Sequence, residues 1–316
     1  MGRVRTLTIG TRGSKLALWQ AQWVKDQLES RHGDLSVKLM IIKTKGDKIL
    51  DVPLAKVGGK GLFVKEIEDA MLKKDIDLAV HSMKDMPADL PQGLCIAAVP
   101  ERESPFDVLI ARHGKKLADL PQGAKLGTSS LRRGAQILHA RPDIEIVSLR
   151  GNVDTRLKKL ETENLDAIIL AAAGVKRMNH ADYITEYLDE NIMLPAVGQG
   201  ALCLEAREHD PDILPLVTAL NHTDTYTVVM GERAFLNRLE GGCQVPMAAL
   251  GKIESGCFHI TGLVASLDGK SIIKDEMTGD PAESEHIGTA LADNLLKKGA
   301  DRILDELKAL DTHETN

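Results

Sequence analysis

Asp77-Leu78-Ala79-Val80-His81-Ser82-Met83-Lys84-Asp85 is the stretch that decides the fold, because an apolar run changes abruptly there into polar and charged residues. A short apolar run without a helical period is typical of a strand that is buried on both faces. An amphipathic helix pattern precedes it over residues 63–73. The helix, the buried strand and the charged loop together predict one repeat of an α/β sheet.

The residues on the N-terminal side show the same alternation. A strand is predicted over 6–10, a helix over 14–30 and a second strand over 37–43, which together form a βαβ-like unit. Four apolar residues of the helix lie near one face, and we expect them to form a core stripe: Leu16, Trp19, Trp23 and Leu28.

The alternation starts again after residues 95–99. Strands are predicted over 106–111, 125–127, 144–149 and 167–171, with helices that begin near Ser130 and Val153. A return strand is predicted over 201–205. This order predicts two α/β lobes joined by paired crossings near residues 100 and 200, so that the first lobe is discontinuous. A cleft between two lobes is a favoured place for a ligand.

The C-terminal part differs in kind. A helix is predicted over 225–239, then strands over 247–253, 258–264 and 271–273, then a long helix from Glu283. Adjacent strands with short polar links predict an antiparallel sheet covered by helices, which is a small α+β domain. The predicted division is residues 1–100 with 200–218 for the first lobe, 101–199 for the second and 219–316 for the C-terminal domain.

Composition excludes several classes of protein. The chain has 316 residues, 43% of them hydrophobic, and a formal charge of −6. The segment from Pro281 to Asn316 carries eight acidic and four basic residues, so most of the excess negative charge lies there. No basic face indicates nucleic-acid binding, no apolar run is long enough for a membrane span, and no apolar signal segment opens the chain. We therefore expect a cytoplasmic enzyme without nucleic-acid or membrane partners.

The four cysteines are widely spaced, without a C-x-x-C pair or a histidine at ligand spacing: Cys95, Cys203, Cys243 and Cys257. This spacing predicts reduced thiols and no metal site. Cys243 lies in the turn Glu240-Gly241-Gly242-Cys243-Gln244-Val245-Pro246, where two glycines allow close approach to its sulfur. It is either an incidental thiol after a helix end or a group with a chemical role. Glu240 and the helix end raise the pKa of a thiol, which argues against a protease-type nucleophile.

Cationic side chains recur where predicted strands meet predicted helices: Arg12, Lys60, Lys84, Arg132, Arg133, Arg150 and Arg156. Strand ends and helix starts face the ligand in an open α/β sheet, and they already favour anions. Taken singly, Lys60 could be a surface charge, and Thr128, Ser129 and Ser130 could simply cap a helix. Their recurrence favours a small polyanionic ligand that is rich in carboxylates.

Asp85 is an acidic residue among these cationic positions. It is either the partner of Lys84 in a surface pair or a group that stabilises positive charge during a reaction. In a ligand site that is otherwise cationic, the second interpretation is favoured.

Six motifs in this order closely resemble the porphobilinogen deaminase (hydroxymethylbilane synthase) family. They are Gly58-Gly59-Lys60-Gly61-Leu62-Phe63, His81-Ser82-Met83-Lys84-Asp85-Met86-Pro87, Gly127-Thr128-Ser129-Ser130-Leu131-Arg132-Arg133, Leu149-Arg150-Gly151-Asn152-Val153, Ala196-Val197-Gly198-Gln199-Gly200 and the turn around Cys243. The resemblance covers roughly residues 7–310. It implies a monomeric cytoplasmic transferase with two periplasmic-binding-protein-like α/β lobes, a cleft between them and a small C-terminal α+β domain with an antiparallel sheet.

The family joins four porphobilinogen molecules head to tail with loss of ammonia, and hydrolysis then releases hydroxymethylbilane. The resemblance implies one dipyrromethane cofactor per chain, attached through a thioether to Cys243. It implies that Asp85 is the catalytic carboxylate, which stabilises the azafulvene cation formed when ammonia leaves. The implied cofactor-binding residues are Ser82, Lys84, Thr128, Ser129, Ser130, Arg132, Arg133, Arg150 and Gly151. The implied substrate-binding residues are Arg12, Ser14, Arg156, Arg177 and Gln199, with Lys60 and Phe63 in a loop over the cleft.

Two other classes fit part of the pattern. A solute-binding protein would share the two lobes and the anion-binding junctions, but it would need neither Asp85 nor the cysteine turn. The ligand-sensing part of a transcriptional regulator would need a helix-turn-helix segment with a basic face, and none precedes Leu7.

Overall fold

The computed structural model describes residues 5–48, 63–239 and 245–313. The chain divides into two compact units. The first comprises Met1–Glu103 and Gly200–Tyr226, and the second comprises Ser104–Gln199 and Thr227–Asn316. The predicted division into three domains therefore stays a prediction.

The strands of the described residues are β1 (Arg5–Thr11), β2 (Leu35–Ile41), β3 (Leu78–Ser82), β4 (Leu94–Ala98), β5 (Asp107–Ala111), β6 (Lys125–Gly127), β7 (Glu145–Val147), β8 (Ala167–Ala171), β9 (Glu186–Leu188), β10 (Leu202–Arg207), β11 (Met247–Glu254), β12 (Cys257–Ala265) and β13 (Ile272–Gly279). The α-helices are α1 (Lys15–Arg31), α2 (Lys45–Lys48), α3 (Lys65–Leu72), α4 (Leu131–Ala140), α5 (Val153–Thr162), α6 (Ala172–Arg177), α7 (Leu214–Val217), α8 (Thr223–Arg238), α9 (Ser284–Leu295) and α10 (Asp301–His313).

The first unit contains a five-stranded sheet in the order β2-β1-β3-β10-β4. The strands β1, β2 and β3 are parallel, and β10 runs antiparallel to both of its neighbours. Val24 and Leu28 of α1 belong to the same core cluster as Val80 of β3. Ile67 of α3 clusters instead with Ala79, the adjacent residue of β3. Because neighbouring residues of a strand point to opposite faces, helices cover the sheet on both sides.

The second unit contains a sheet with the same arrangement, in the order β7-β6-β8-β5-β9. The strands β6, β7 and β8 are parallel, and β5 runs antiparallel to β8 and β9. Ile137 of α4 packs in the cluster that contains Leu109, whereas Leu160 of α5 packs in the cluster that contains Val108. This sheet is therefore also covered on both faces.

The remainder of the second unit is a three-stranded antiparallel sheet in the order β11-β12-β13. Phe235 of α8, Phe258 of β12 and Leu291 of α9 lie in one buried cluster. The helices α8 and α9 approach closely at two glycines, since a Cβ on Gly288 would overlap the carbonyl oxygen of Gly231. These strands and helices form the predicted α+β part.

The predicted fold class is confirmed, with two α/β sheets and a small antiparallel sheet covered by helices. The predicted core stripe of α1 is wrong for Trp19, whose side chain is 38% exposed, because the buried face carries Gln20, Ala21 and Val24 instead. Four short elements were not predicted from the sequence: β9, α2, α6 and α7. The C-terminal helix is interrupted over Leu296–Ala300, where Gly299 has φ of 104°. None of the described helices is long and apolar enough to cross a membrane.

Candidate active site

The loop after β3 presents the predicted catalytic carboxylate. Met83 is buried and its N–H donates to the carbonyl oxygen of Ala201 at 3.0 Å, which fixes the short 3₁₀ turn Met83–Asp85 against β10. The amide Nε2 of Gln20 donates to Ser82 Oγ at 3.0 Å. Asp85 follows in an exposed position, and no described residue binds its carboxylate. The carboxylate of Asp85 can therefore face a cationic ligand directly.

Arg12 and Phe63 lie together in the first unit. The guanidinium carbon of Arg12 is 4.2 Å from the centre of the Phe63 ring, which is a cation–π contact. Ser14 is the N-cap of α1, and its Oγ accepts a hydrogen bond from Ala17 N at 3.3 Å. The hydroxyl of Ser14 is thus used as a helix cap. Lys60, which was predicted in the loop before Phe63, lies outside the described residues.

A buried cluster of three ionisable side chains, one of them on β3, was not predicted from the sequence. His81 Nε2 lies 3.0 Å from Glu205 Oε2, and both side chains are buried. Burial, and next the charge of Glu205, raise the pKa of nearby Glu68 to about 7. One carboxylate oxygen of Glu68 and one of Glu205 are buried and bind no described residue. Only the histidine in the motif at 81–87 hinted at this cluster.

Arg132 and Arg133 begin α4, and both are buried against Asp107. Arg132 Nη1 donates to Asp107 Oδ2 at 2.7 Å, and Arg133 Nε donates to Asp107 Oδ1 at 2.9 Å. Asp107 itself is fully buried. Two buried cations thus share the carboxylate of Asp107. The sequence singled out both arginines but gave no sign of Asp107 as their partner.

The three hydroxyl residues before α4 are used within the loop. Ser130 Oγ caps the helix by accepting from Arg133 N, and Thr128 Oγ1 accepts from Ser130 N at 3.2 Å. Ser129 Oγ donates to the carbonyl oxygen of Leu149 at 2.8 Å. These bonds support the capping interpretation that the sequence left open, and ligand binding by these residues stays a prediction.

The loop between β7 and α5 carries further arginines where a strand ends and a helix begins. Gly151 has φ of 119°, a conformation that a side chain would strain. Its carbonyl oxygen accepts from Arg156 Nε at 2.8 Å, and Asn152 caps α5. Arg150 and Arg156 are half-buried in this loop and in the first turn of α5. Arg177 is the last residue of α6 and is also half-buried.

Gln199 is completely buried, and its Nε2 donates to the carbonyl oxygen of Pro105 at 2.7 Å. This hydrogen bond links the segment before β10 to the segment before β5. The side-chain amide of Gln199 therefore has a structural role that the sequence did not indicate. Binding of substrate by Gln199 stays a prediction. Cys243 lies outside the described residues. Among the residues that are described, no group of His, Cys, Asp and Glu could hold a metal ion.

Each unit therefore carries its own cationic residues at strand ends and helix starts, and the first also carries the exposed carboxylate of Asp85. This fold and these residues are typical of a protein that binds a small polyanionic molecule. Two family models match the chain, "Porphobilinogen deaminase, dipyromethane cofactor binding domain" over residues 7–215 and "Porphobilinogen deaminase, C-terminal domain" over residues 226–297. The chain belongs to the porphobilinogen deaminase family, whose members polymerise porphobilinogen in tetrapyrrole biosynthesis.

Curated relatives support this assignment over nearly the whole chain. The chain is 58% identical over 298 residues to the porphobilinogen deaminase of Syntrophotalea carbinolica, covering 94% of this chain and 95% of the relative. It is 56% identical over 304 residues to that of Geotalea uraniireducens, covering 96% and 95%. The first matched model is the domain that binds the dipyrromethane cofactor.

Among solved structures, the probable amino-acid ABC transporter extracellular-binding protein YtmK from Bacillus subtilis matches with a TM-score of 0.42 and 12% identity. The match covers 69% of this chain and 90% of that one. The TM-score is too low to establish a common fold, so the fold class depends on the sheet topology given above.

Proposed function

We propose that this chain joins four porphobilinogen molecules head to tail with loss of ammonia and releases hydroxymethylbilane by hydrolysis. The observation that carries the proposal is the pair of buried arginines, Arg132 and Arg133, at the start of α4. Guanidinium groups at the start of a helix favour an anionic ligand, and carboxylates suit their geometry. Porphobilinogen and the pyrrole chain made from it carry two carboxylates on each ring, which matches that requirement.

The residues present fit a dipyrromethane group. Arg132 and Arg133 at the start of α4, and Arg150 and Arg156 around Gly151, provide guanidinium groups that suit carboxylates. We assign Ser82, Lys84, Thr128, Ser129, Ser130 and Gly151 to the same group. When bound, the dipyrromethane supplies the carbon atom to which the first substrate is joined.

Cys243 is the proposed anchor of this group through a thioether. Its neighbourhood in the sequence does not favour a thiolate, because it follows a helix end and Glu240. A thiol that is alkylated once by a strong electrophile needs no lowered pKa. Cys243 thus serves as an attachment point, and the repeated chemistry falls to another residue.

Asp85 is that residue in our proposal. Its exposed carboxylate, which binds no described residue, can stabilise the cation that forms when ammonia leaves porphobilinogen. The same carboxylate can accept or return a proton at a pyrrole nitrogen. Arg12, Ser14, Lys60, Phe63, Arg156, Arg177 and Gln199 are the proposed contacts of the incoming substrate.

We also propose that the enzyme is a monomer in the cytoplasm and that it functions with the three domains predicted from the sequence. The two α/β lobes would bind pyrrole carboxylates, and the C-terminal domain would carry Cys243. Size-exclusion chromatography with light scattering tests the first point, since a mass near 34.4 kDa is expected for a monomer.

Intact-protein mass spectrometry tests the proposed function. We expect an excess over the sequence mass equal to two porphobilinogen units less their ammonia. The excess should disappear in Cys243→Ala and remain in the matched control Cys257→Ala, since Cys257 is an exposed free cysteine. An unmodified chain that still produces hydroxymethylbilane would contradict the covalent primer.

A further inference from the structure

A buried side-chain hydrogen bond joins β3 to β10 inside the first sheet. His81 Nε2 lies 3.0 Å from Glu205 Oε2, and both residues are buried. His81 pairs in register with Cys203, and Glu205 lies two residues further along β10 on the same face of the sheet. Because an ionised carboxylate can only accept, the Nε2–H of His81 donates to it. The hydrogen bond therefore fixes the two strands diagonally against each other.

On its other side, β10 pairs less regularly. Its register with β4 shifts between Leu204 and Glu205, so that Ala97 of β4 has no partner there. An irregularity of this kind interrupts the backbone ladder and bends the strand locally. The contact with β3 therefore determines where β10 lies at Glu205, and the hydrogen bond from His81 strengthens that contact at the same point.

The strands β3 and β10 together hold the turn that carries Asp85. Met83 N donates to the carbonyl oxygen of Ala201 at 3.0 Å, directly before β10 begins, and the side chain of Met83 is buried. Asp85 is exposed, and no described residue binds its carboxylate. Its position thus depends on the backbone of the turn, and the turn depends on the placement of β10 beside β3.

We propose that His81 and Glu205 form a positioning pair for Asp85. The pair keeps β10 in place beside β3, and β10 in turn keeps the carbonyl group of Ala201 where Met83 N can bind it. The carboxylate of Asp85 is then already oriented towards the point where the cation forms, so it need not be reoriented during the reaction. This inference rests on the proposed function, because that function gives Asp85 its role.

Two substitutions of His81 separate its hydrogen bond from its bulk. Leucine removes the donor, whereas glutamine keeps an N–H close to the position of Nε2. We expect His81→Leu to lower kcat for porphobilinogen consumption about tenfold or more and to leave KM within about threefold of wild type. We expect the kcat of His81→Gln to be at least about threefold higher than that of His81→Leu. Equal kcat in the two variants, or a loss confined to KM, would overturn the proposal.

The matched control is a second pair that joins the same two strands at their other end. Asp77 Oδ1 lies 3.2 Å from Arg207 Nη2, where Asp77 directly precedes β3 and Arg207 ends β10. We expect Asp77→Asn, like His81→Leu, to lower the melting temperature, but to keep the kcat of wild type. If Asp77→Asn lowers kcat as much as His81→Leu does, the pair only stabilises the strands, and its positioning role is overturned.

A double variant tests whether the pair acts through Asp85. In an Asp85→Asn chain the carboxylate is already lost, so the addition of His81→Leu should lower kcat by less than about twofold further. Two groups that act independently would instead give the product of their separate losses. A further loss of about tenfold would show that the pair acts elsewhere, which contradicts the proposal.

Glu205→Gln decides the question where His81→Leu fails to fold. The amide keeps the shape of the carboxylate but not its charge, so the hydrogen bond from His81 is weaker and kcat should fall about threefold or more. A folded Glu205→Gln chain with wild-type kcat would overturn the proposal.

The same measurements separate failure of the positioning pair from failure of the proposed function. Near wild-type kcat in Asp85→Asn would overturn the proposed role of Asp85, and the positioning pair with it. An impaired Asp85→Asn chain beside an unimpaired His81→Leu chain would overturn the positioning pair alone. The two failures are therefore distinguishable.

Discussion

Glu205 Oε2 lies 3.0 Å from His81 Nε2 inside the first sheet, and the two residues are 124 positions apart in the chain. Glu68 of α3 is buried close enough that the charge of Glu205 raises its pKa, in addition to the larger effect of burial. His81 acts in the opposite direction and lowers it. Three ionisable side chains thus lie together directly behind the loop that carries Asp85.

This cluster gives the first unit a specific pH dependence. The pKa of Glu68 is raised from 4.5 to about 7, so the folded protein holds a proton there that the unfolded chain releases. The resulting stabilisation is complete below pH 4.5 and is lost as the pH rises through 7. The loss is at most about 1.4 kcal/mol for each pH unit in that range.

Glu68→Gln should remove this dependence, because glutamine resembles the neutral carboxyl group. Urea unfolding can be followed by tryptophan fluorescence, since both tryptophans, Trp19 and Trp23, lie in α1 of the first unit. We expect the free energy of unfolding of the variant to match that of wild type at pH 4 and to exceed it by about 1 to 3 kcal/mol at pH 8. A difference between variant and wild type that does not change with pH would refute the assignment.

Asp85→Asn should keep the fold and impair turnover. The carboxylate is exposed and binds no described residue, so we expect little change in the melting temperature. Loss of one preorganised charge typically lowers kcat by about 100- to 1000-fold. Asp89→Asn is the control, because it changes an exposed aspartate four residues further along. Near wild-type turnover of Asp85→Asn would show that another residue stabilises the cation.

Glu232→Gln should destabilise the second unit. The buried carboxylate of Glu232 accepts from Gly198 N at 2.7 Å and from Gly251 N at 2.8 Å. A glutamine amide would place a donor against one of these N–H groups, at a cost of about 1.5 to 3 kcal/mol. Calorimetry should show this loss, whereas the exposed control Glu276→Gln should change stability by less than about 0.5 kcal/mol. Equal effects would mean that the two backbone bonds contribute nothing measurable.

Two helical glycines should respond to alanine in opposite ways. A Cβ on Gly134 of α4 would meet Ile146 Cγ2 at 3.8 Å, an ordinary contact, so Gly134→Ala should stabilise by up to about 1 kcal/mol through helix propensity. A Cβ on Gly288 of α9 would overlap backbone, so Gly288→Ala should destabilise by about 3 kcal/mol. Chemical denaturation measures both changes. Shifts of the same sign would contradict the close packing of α8 and α9.

Most strands and helices could be predicted because they depend on local signals. The apolar run at 167–171 became β8, and Ser130 caps α4 as its residue type indicates. Pairs distant in sequence left no such signal. Arg132 lies 25 residues from Asp107, and neither the charge of the aspartate nor its burial could be predicted from spacing.

At some positions, tertiary packing rather than helix propensity explains the residue type. From the sequence, Gly231 in α8 is a weak helix residue that costs about 1 kcal/mol. In the structure, a Cβ at that position would meet the carbonyl oxygen of Ser284 at 2.9 Å, so only glycine permits the approach of the next helix. The hydrogen bonds of Arg133 to Asp107 and Ile169 were likewise not predicted, and its binding of the cofactor stays a prediction. Contacts of this kind depend on which helices and strands pack together, and the whole fold determines that packing.

The placement of β10 in the first sheet sets an order of events during synthesis. The five strands of the second α/β sheet lie between Asp107 and Leu188, so all of them leave the ribosome before Leu202. Until β10 arrives, β3 and β4 have no strand between them, and the buried pair of His81 and Glu205 cannot form. Long-range pairing of this kind is slow because a large loop must be closed first. Of the two five-stranded sheets, the one that contains the start of the chain is therefore completed later, contrary to the usual N-terminal-first order.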